Sequence, residues 1–235
     1  MLHARGANVI CFPTIKIEDP ESWQECDHTI WKLSEYQGVC FTSKNAVSKF
    51  IERIRTIRPQ AVDILATRNI FAVGEKTRQA LESSGFPVLA SPKHASAAEL
   101  GSLLQVHQIK DAHILFPKSQ IAREELPNQL RSMGAAVDEL IVYRTTIPEP
   151  ENLEGVRQLF VEKKIDVISF FSPSSVVNFT ELIGIGILTS VQIASIGPTT
   201  AEAVAQIGLC SAIIAKQATS EGMAEAIEQY FTSKN

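Results

Sequence analysis

Short apolar runs alternate along this chain with longer stretches whose apolar positions recur every three or four residues. The runs fall at residues 7–12, 38–42, 70–73, 87–90, 113–116, 137–143, 166–171, 192–196 and 211–215. Most are β-branched or aromatic and lack strict alternation, which predicts strands buried on both faces of a parallel sheet. The stretches between them predict amphipathic helices. Thr77, Ala80, Leu81 and Ser84 share one helical face, and so do Thr200, Ala203, Val204 and Ile207. Leu126, Leu130 and Met133 form a third stripe, and a last helix runs from near Ser220 through Met223, Ile227 and Phe231. The helix ends are marked as well. Gly85, Gly134 and Gly208 suit the left-handed position after a helix, and Ser172-Pro173 and Gly197-Pro198 place a proline in a first turn. Strand–helix alternation of this kind predicts an α/β fold.

The pattern also repeats. Phe41-Thr42-Ser43-Lys44-Asn45-Ala46-Val47 is matched by Phe171-Ser172-Pro173-Ser174-Ser175-Val176-Val177. Val73-Gly74, with Thr77 and Gly85, is matched by Ile196-Gly197, with Thr200 and Gly208. Two related halves with polar strand ends predict two domains with a ligand cleft. Two extended, proline-stopped segments bracket the first copy: residues 14–18 before Asp19-Pro20, and 143–147 before Pro148-Glu149-Pro150. They read as a two-stranded linker, with residues 15–147 forming a domain inserted into another made of 1–14 and 148–235. Residues 1–6 read as the tail of a helix whose preceding strand is absent.

Composition narrows the class. At 45% hydrophobic and 20% charged, the 235 residues are ordinary for a soluble protein of two small domains. No apolar run approaches the roughly 20 residues that span a bilayer, and the first residues lack a signal-peptide pattern. The net charge of −4 argues against broad binding to nucleic acid or membranes, but leaves an anionic small molecule open. Cys11, Cys26, Cys40 and Cys210 are scattered and read as buried free thiols in a reducing cytoplasm. The histidines show no metal-ligand spacing, so no metal site is expected.

Candidate chemistry gathers at the strand ends. Thr42, Ser43, Ser172, Ser174, Ser175, Thr199 and Thr200 sit where helices begin, and hydroxyls beside unpaired N–H groups suit carboxylates or phosphates. Each alone reads first as a helix cap, and it is the pairing across the two copies that favours a ligand role for the set. Lys118 and Arg123 follow an apolar run and read either as anion ligands or as ordinary surface cations. Tyr143 ends a run at the second linker, where its phenol either donates a proton into the cleft or packs against the linker. Dinucleotide and Walker loops and the nucleophile elbow are missing.

Taken together, these stretches resemble the uroporphyrinogen-III synthase family. The resemblance rests on Val39-Cys40-Phe41-Thr42-Ser43, Ala72-Val73-Gly74 with Thr77, Leu115-Phe116-Pro117 with Arg123-Glu124, Val142-Tyr143-Arg144-Thr145, Phe170-Phe171-Ser172-Pro173-Ser174 and Ile196-Gly197-Pro198-Thr199-Thr200-Ala201. It implies two α/β domains on a two-stranded linker and a cyclising hydro-lyase. The substrate would be hydroxymethylbilane, a linear tetrapyrrole with eight carboxylates, closed to uroporphyrinogen III with loss of water and inversion of ring D. No cofactor or metal is implied. Tyr143 matches the family's cleft tyrosine as proton donor. Thr42, Ser43, Ser172, Ser174, Thr199 and Thr200 match the family's ligand-side turns, Gly74 and Gly197 let the backbone approach, and Thr77, Lys118 and Arg123 are further substrate-binding candidates. Hydroxymethylbilane synthase is the expected pathway neighbour.

Two departures stand out. Lys118-Ser119-Gln120 replaces the glycine usual after the Phe-Pro pair, and the family's opening strand, Arg-Pro turn and full helix are not present before residue 1. The expectation is that Met1 is not the natural start, or that a partner compensates; otherwise a monomer is expected. Two rival readings remain: a two-domain binding protein that closes on an anionic solute without chemistry, and an inactive paralogue.

Overall fold

The computed structural model describes residues 1–89, 109–149 and 152–233. The chain divides into two compact units, one of Met1–Lys16 with Ile147–Asn235 and one of Ile17–Thr146.

The Ile17–Thr146 unit is built on a five-stranded sheet. Its strands are β1 (Lys16–Glu18), β2 (Gly38–Phe41), β3 (Asn69–Ala72), β4 (His113–Ser119) and β5 (Ala136–Thr146), in the order β1-β5-β4-β2-β3. The pairs β2–β3, β2–β4 and β4–β5 are parallel. All four residues of β2 are buried, which is why they read as an unbroken apolar run. Val39 and Phe41 pack with Ala46, Val47, Phe50, Ile51 and Ile54 of helix α2 (Lys44–Ile57). Cys40 faces the other way, among Phe71, Ile114, Phe116 and two leucines of α5 (Glu125–Ser132), Leu126 and Leu130. Each such fully buried large side chain contributes about 2 kcal/mol. Gly38 is needed at the start of β2, since a Cβ there would lie 3.0 Å from Asn69 O and from the side chains of Ile114 and Phe71. Helices α1 (Gln24–Trp31), α3 (Ala61–Ala66) and α4 (Glu75–Ser83) complete the unit among the described residues. Asp27 of α1 and Arg53 of α2 are joined by two hydrogen bonds, 2.7 and 2.6 Å, under the Trp23 ring.

The other unit carries a three-stranded parallel sheet, β6 (Val167–Phe170), β7 (Gln192–Ser195) and β8 (Ile213–Ile214). Around it lie α6 (Leu153–Val161), α7 (Pro173–Ile183), α8 (Pro198–Gln206) and α9 (Ser220–Thr232). Phe160, Phe170, Val176, Phe179, Ile193 and Val204 form the main core. The first residues are attached to this unit by side chains. Phe12 meets Phe179 edge-on at 5.7 Å, Asn178 donates to Thr14 O at 2.8 Å, and Arg5 pairs with Glu221 and Glu228.

Several expectations change. Residues 7–12 form no strand: no ladder hydrogen bond reaches residues 8–12 among the described residues, and Val9 and Ile10 are exposed. An apolar run without a neighbouring strand has nowhere to place its backbone donors and acceptors. Residues 87–89 are irregular, tied to β3 by one hydrogen bond from Leu89 N to Ile70 O, and residue 90 of that predicted strand lies outside the described residues. Strand β4 runs on through Lys118, past the end expected at residue 116, and β5 joins the expected run 137–143 to the extended segment after it, as one strand through Tyr143 to Thr146. The extension is held by Ser119 pairing with Tyr143 across a register irregularity and by Arg144, whose guanidinium donates to Asp19 O and meets Glu21. Two of the four cysteines, Cys11 and Cys210, are exposed rather than buried.

Candidate functional site

Because β2, β3, β4 and β5 run parallel side by side, their carboxyl ends share one edge of the sheet. The turn after β2 holds Thr42 and Ser43, both half-buried. Ser43 is the N-cap of α2: its backbone is extended and its Oγ accepts from Asn45 N at 3.1 Å and Ala46 N at 3.4 Å. The same oxygen lies 3.0 Å from the Tyr143 phenol. Tyr143 is buried and packs in the core cluster that also holds Phe41 and Val142, which fixes its ring. After β3, Gly74 caps α4 with φ +86° and ψ 149°, a conformation open to glycine alone. Thr77, one turn on, points inward and is buried.

The two predicted cations behave differently. Lys118 is buried near the carboxyl end of β4 and ion-pairs with Glu139 of β5, which also accepts from Arg131 at 2.8 Å. Burial alone would raise the Glu139 pKa. The hydrogen bonds and charges of Lys118 and Arg131 outweigh that, so its carboxyl titrates below the ordinary value of 4.5. The charge of Lys118 is therefore already compensated. Arg123 stands exposed in the loop before α5 and has no ion pair among the described residues.

The other unit repeats the arrangement. Ser172 caps α7 in a reciprocal box, its Oγ accepting from Ser175 N at 3.1 Å while Ser175 Oγ accepts from Ser172 N at 3.2 Å. Ser174 is exposed, 3.0 Å from Ser172 Oγ. Beside it, after β7, Gly197 precedes Pro198 at the start of α8 in extended backbone that any residue adopts, with open space where a Cβ would stand. Thr199 is exposed, whereas Thr200 is turned inward and buried. Phe171, between buried Phe170 and the cap, is half exposed.

The structure thus brings Ser43 and Tyr143 into contact, sets Ser172, Ser174 and Thr199 at neighbouring strand ends, and buries Thr77, Thr200 and Lys118. Sequence reasoning missed Glu139 as the partner of Lys118, and Arg131 as the second cation on the same carboxylate. The available signal was the sign of the charge on the adjacent strand, legible only once β4 and β5 are known to pair. Among the described residues no group of three His, Cys, Asp or Glu side chains could hold a metal ion. Two surface hollows, of about 380 Å³ beside Glu52 and Arg55 and about 350 Å³ beside Asn69 and Asp111, include none of the predicted site residues.

A family model described as uroporphyrinogen-III synthase HemD matches residues 1–225. The chain belongs to the uroporphyrinogen-III synthase family. A uroporphyrinogen-III synthase of Chlorobaculum parvum is 33% identical over 97% of this chain and 91% of its own length. One from Synechococcus elongatus is 30% identical over 97% of this chain and 88% of its own. Among solved structures, a mutant uroporphyrinogen III synthase of Thermus thermophilus superposes with a TM-score of 0.66 at 18% identity, covering 99% of this chain and 91% of that one. The uroporphyrinogen-III synthetase of Helicobacter pylori gives 0.66 at 19%, covering 92% and 91%. At those identities the structural likeness speaks for the fold: mixed α/β with parallel sheets, as in the uroporphyrinogen-III synthases.

Proposed function

We propose that this chain is a uroporphyrinogen-III synthase, closing hydroxymethylbilane to uroporphyrinogen III with loss of water and inversion of ring D. The observation that carries this reading is the family match over residues 1–225, joined by 33% identity to a synthase along almost the whole chain. In this reading residues 15–147 are one domain, and 1–14 with 148–235 the other, joined by a two-stranded linker.

Tyr143 is the proposed proton donor. The C–O bond of the terminal hydroxymethyl group breaks with its electron pair on oxygen, and the Tyr143 proton lets that oxygen leave as water. Closure of the ring later expels a proton from the attacked pyrrole carbon, which restores the phenol. The buried ring and its hydrogen-bonded hydroxyl support this role, because a fixed donor loses little orientational freedom in the reaction. For eight carboxylates, the proposed contacts are the hydroxyls of Thr42, Ser172, Ser174 and Thr199, the N–H groups at the starts of α2, α7 and α8, and the exposed Arg123, while the Ser43 hydroxyl stands at the Tyr143 phenol. Thr77, Thr200 and Lys118 would act from behind, shaping the backbone that makes those contacts. Gly74 and Gly197 leave their peptide groups uncovered by a side chain. A monomer working in the cytoplasm, downstream of hydroxymethylbilane synthase, completes the proposal.

A product-isomer assay tests it. Hydroxymethylbilane is generated in situ, the chain added, the products oxidised, and the type I and type III isomers separated. Excess type III over the no-enzyme control is expected; type I alone would overturn the reading.

A further inference from the structure

We infer that Ser43 is a positioning residue for Tyr143: it donates its own proton to the phenolic oxygen and so leaves the phenol's O–H free to point at a ligand. The inference rests on the reading of Tyr143 as proton donor. A serine hydroxyl has one proton and two lone pairs. The lone pairs of Ser43 Oγ face the first turn of α2, where Asn45 N stands at 3.1 Å and Ala46 N at 3.4 Å. The third neighbour, Tyr143 Oη at 3.0 Å, is then served by the serine's proton. The opposite polarity would make Ser43 Oγ an acceptor three times over and aim the phenol's proton at the helix cap, away from any substrate.

The arrangement also suits the phenolate that proton transfer leaves behind. Its oxygen keeps the Ser43 hydrogen bond, which strengthens once the acceptor is charged. It stands at the N-terminus of α2, a 14-residue helix whose dipole favours negative charge there. The turn that ends β2 therefore has two tasks in one side chain, starting a helix and setting the direction of a proton 100 residues away in sequence.

The test is steady-state formation of type III isomer by Ser43→Thr, Ser43→Ala, Ser43→Gly, Tyr143→Phe and the Ser43→Gly/Tyr143→Phe double variant. Glycine is included because it is a serviceable N-cap, so loss of the hydroxyl can be read without loss of the helix start. Threonine, which keeps both the cap and the donor, should hold kcat near wild type. Glycine and alanine should lower kcat about tenfold with KM unchanged. In the Tyr143→Phe background the glycine change should cost nothing further. Equal losses in both backgrounds, a change in KM alone, or full kcat without the hydroxyl would each overturn the inference while leaving Tyr143 as donor. Full turnover by Tyr143→Phe alone would instead remove the site reading on which the inference stands.

Discussion

Ser43 Oγ and Tyr143 Oη lie 3.0 Å apart, although the residues stand 100 positions apart in the chain. The contact is possible because β2 and β5 both flank β4 in one parallel sheet, so the turn after β2 and the far end of β5 open at the same edge. Ser43 also carries the cap of α2, whose Val47, Phe50, Ile51 and Ile54 are buried in the core.

Stability should separate the two partners of this contact. Ser43→Ala removes an N-cap and should cost about 1 kcal/mol, whereas Tyr143→Phe removes one hydroxyl and leaves the cap intact, costing about 0.5 kcal/mol. Urea denaturation of both variants checks the order. A larger loss for the phenylalanine variant would mean the phenol, not the cap, holds the turn.

Glu139 should carry part of the acid sensitivity. Its carboxyl titrates below the ordinary 4.5 in the folded chain, since Lys118 and Arg131 outweigh the cost of burial. A depressed carboxyl contributes stability that is fully present above the unfolded value and is lost as pH falls through the folded one. Glu139→Gln should therefore cost about 2 kcal/mol near neutrality, because it strands a nearly buried Lys118. Below about pH 4.5 the gap to wild type should narrow. Urea midpoints at both pH values measure it, and a constant gap would show that the carboxyl does not carry this dependence.

What the sequence made legible was local. Strands β2, β3, β6 and β7 are short apolar runs, and the helix ends at Ser172-Pro173, Gly85 and Gly208 carry their own chemistry; all are found within about a residue of where they were expected. What stayed hidden depends on which strands are neighbours. The run at 7–12 is as apolar as a strand, but β-structure needs a partner that no local pattern reveals. Lys118 at the end of an apolar run looks like a free cation until the β4–β5 register sets it by Glu139. The extended segment 143–147 was legible, but not that it continues the strand through Tyr143, since Arg144 is held by Asp19 and Glu21 from far upstream.

The thiols should divide in two pairs. Burial pushes Cys40 up to about 12, and burial with the neighbouring Asp27 charge does the same for Cys26, so neither forms thiolate near neutrality. Cys11 and Cys210 are exposed. A colourimetric thiol reagent should label two groups rapidly in the folded chain and all four after denaturation. Rapid labelling of Cys40 would mean that the β2 core opens on the timescale of the assay.

Arg123 and Lys118 were indistinguishable in sequence and should be opposite in effect. Lys118 has its charge compensated by Glu139, so Lys118→Met should act on stability and affect KM only through the fold. Arg123 is exposed with no ion pair among the described residues, and its guanidinium is free to meet a substrate carboxylate. Arg123→Ala should leave the urea midpoint unchanged and raise KM for hydroxymethylbilane about threefold to tenfold, the worth of one partly exposed charge-assisted hydrogen bond. The rise should shrink with added salt, since an exposed ion pair is screened. An unchanged KM at low salt would take Arg123 out of the substrate-binding set and leave the backbone N–H groups and strand-end hydroxyls to hold the carboxylates.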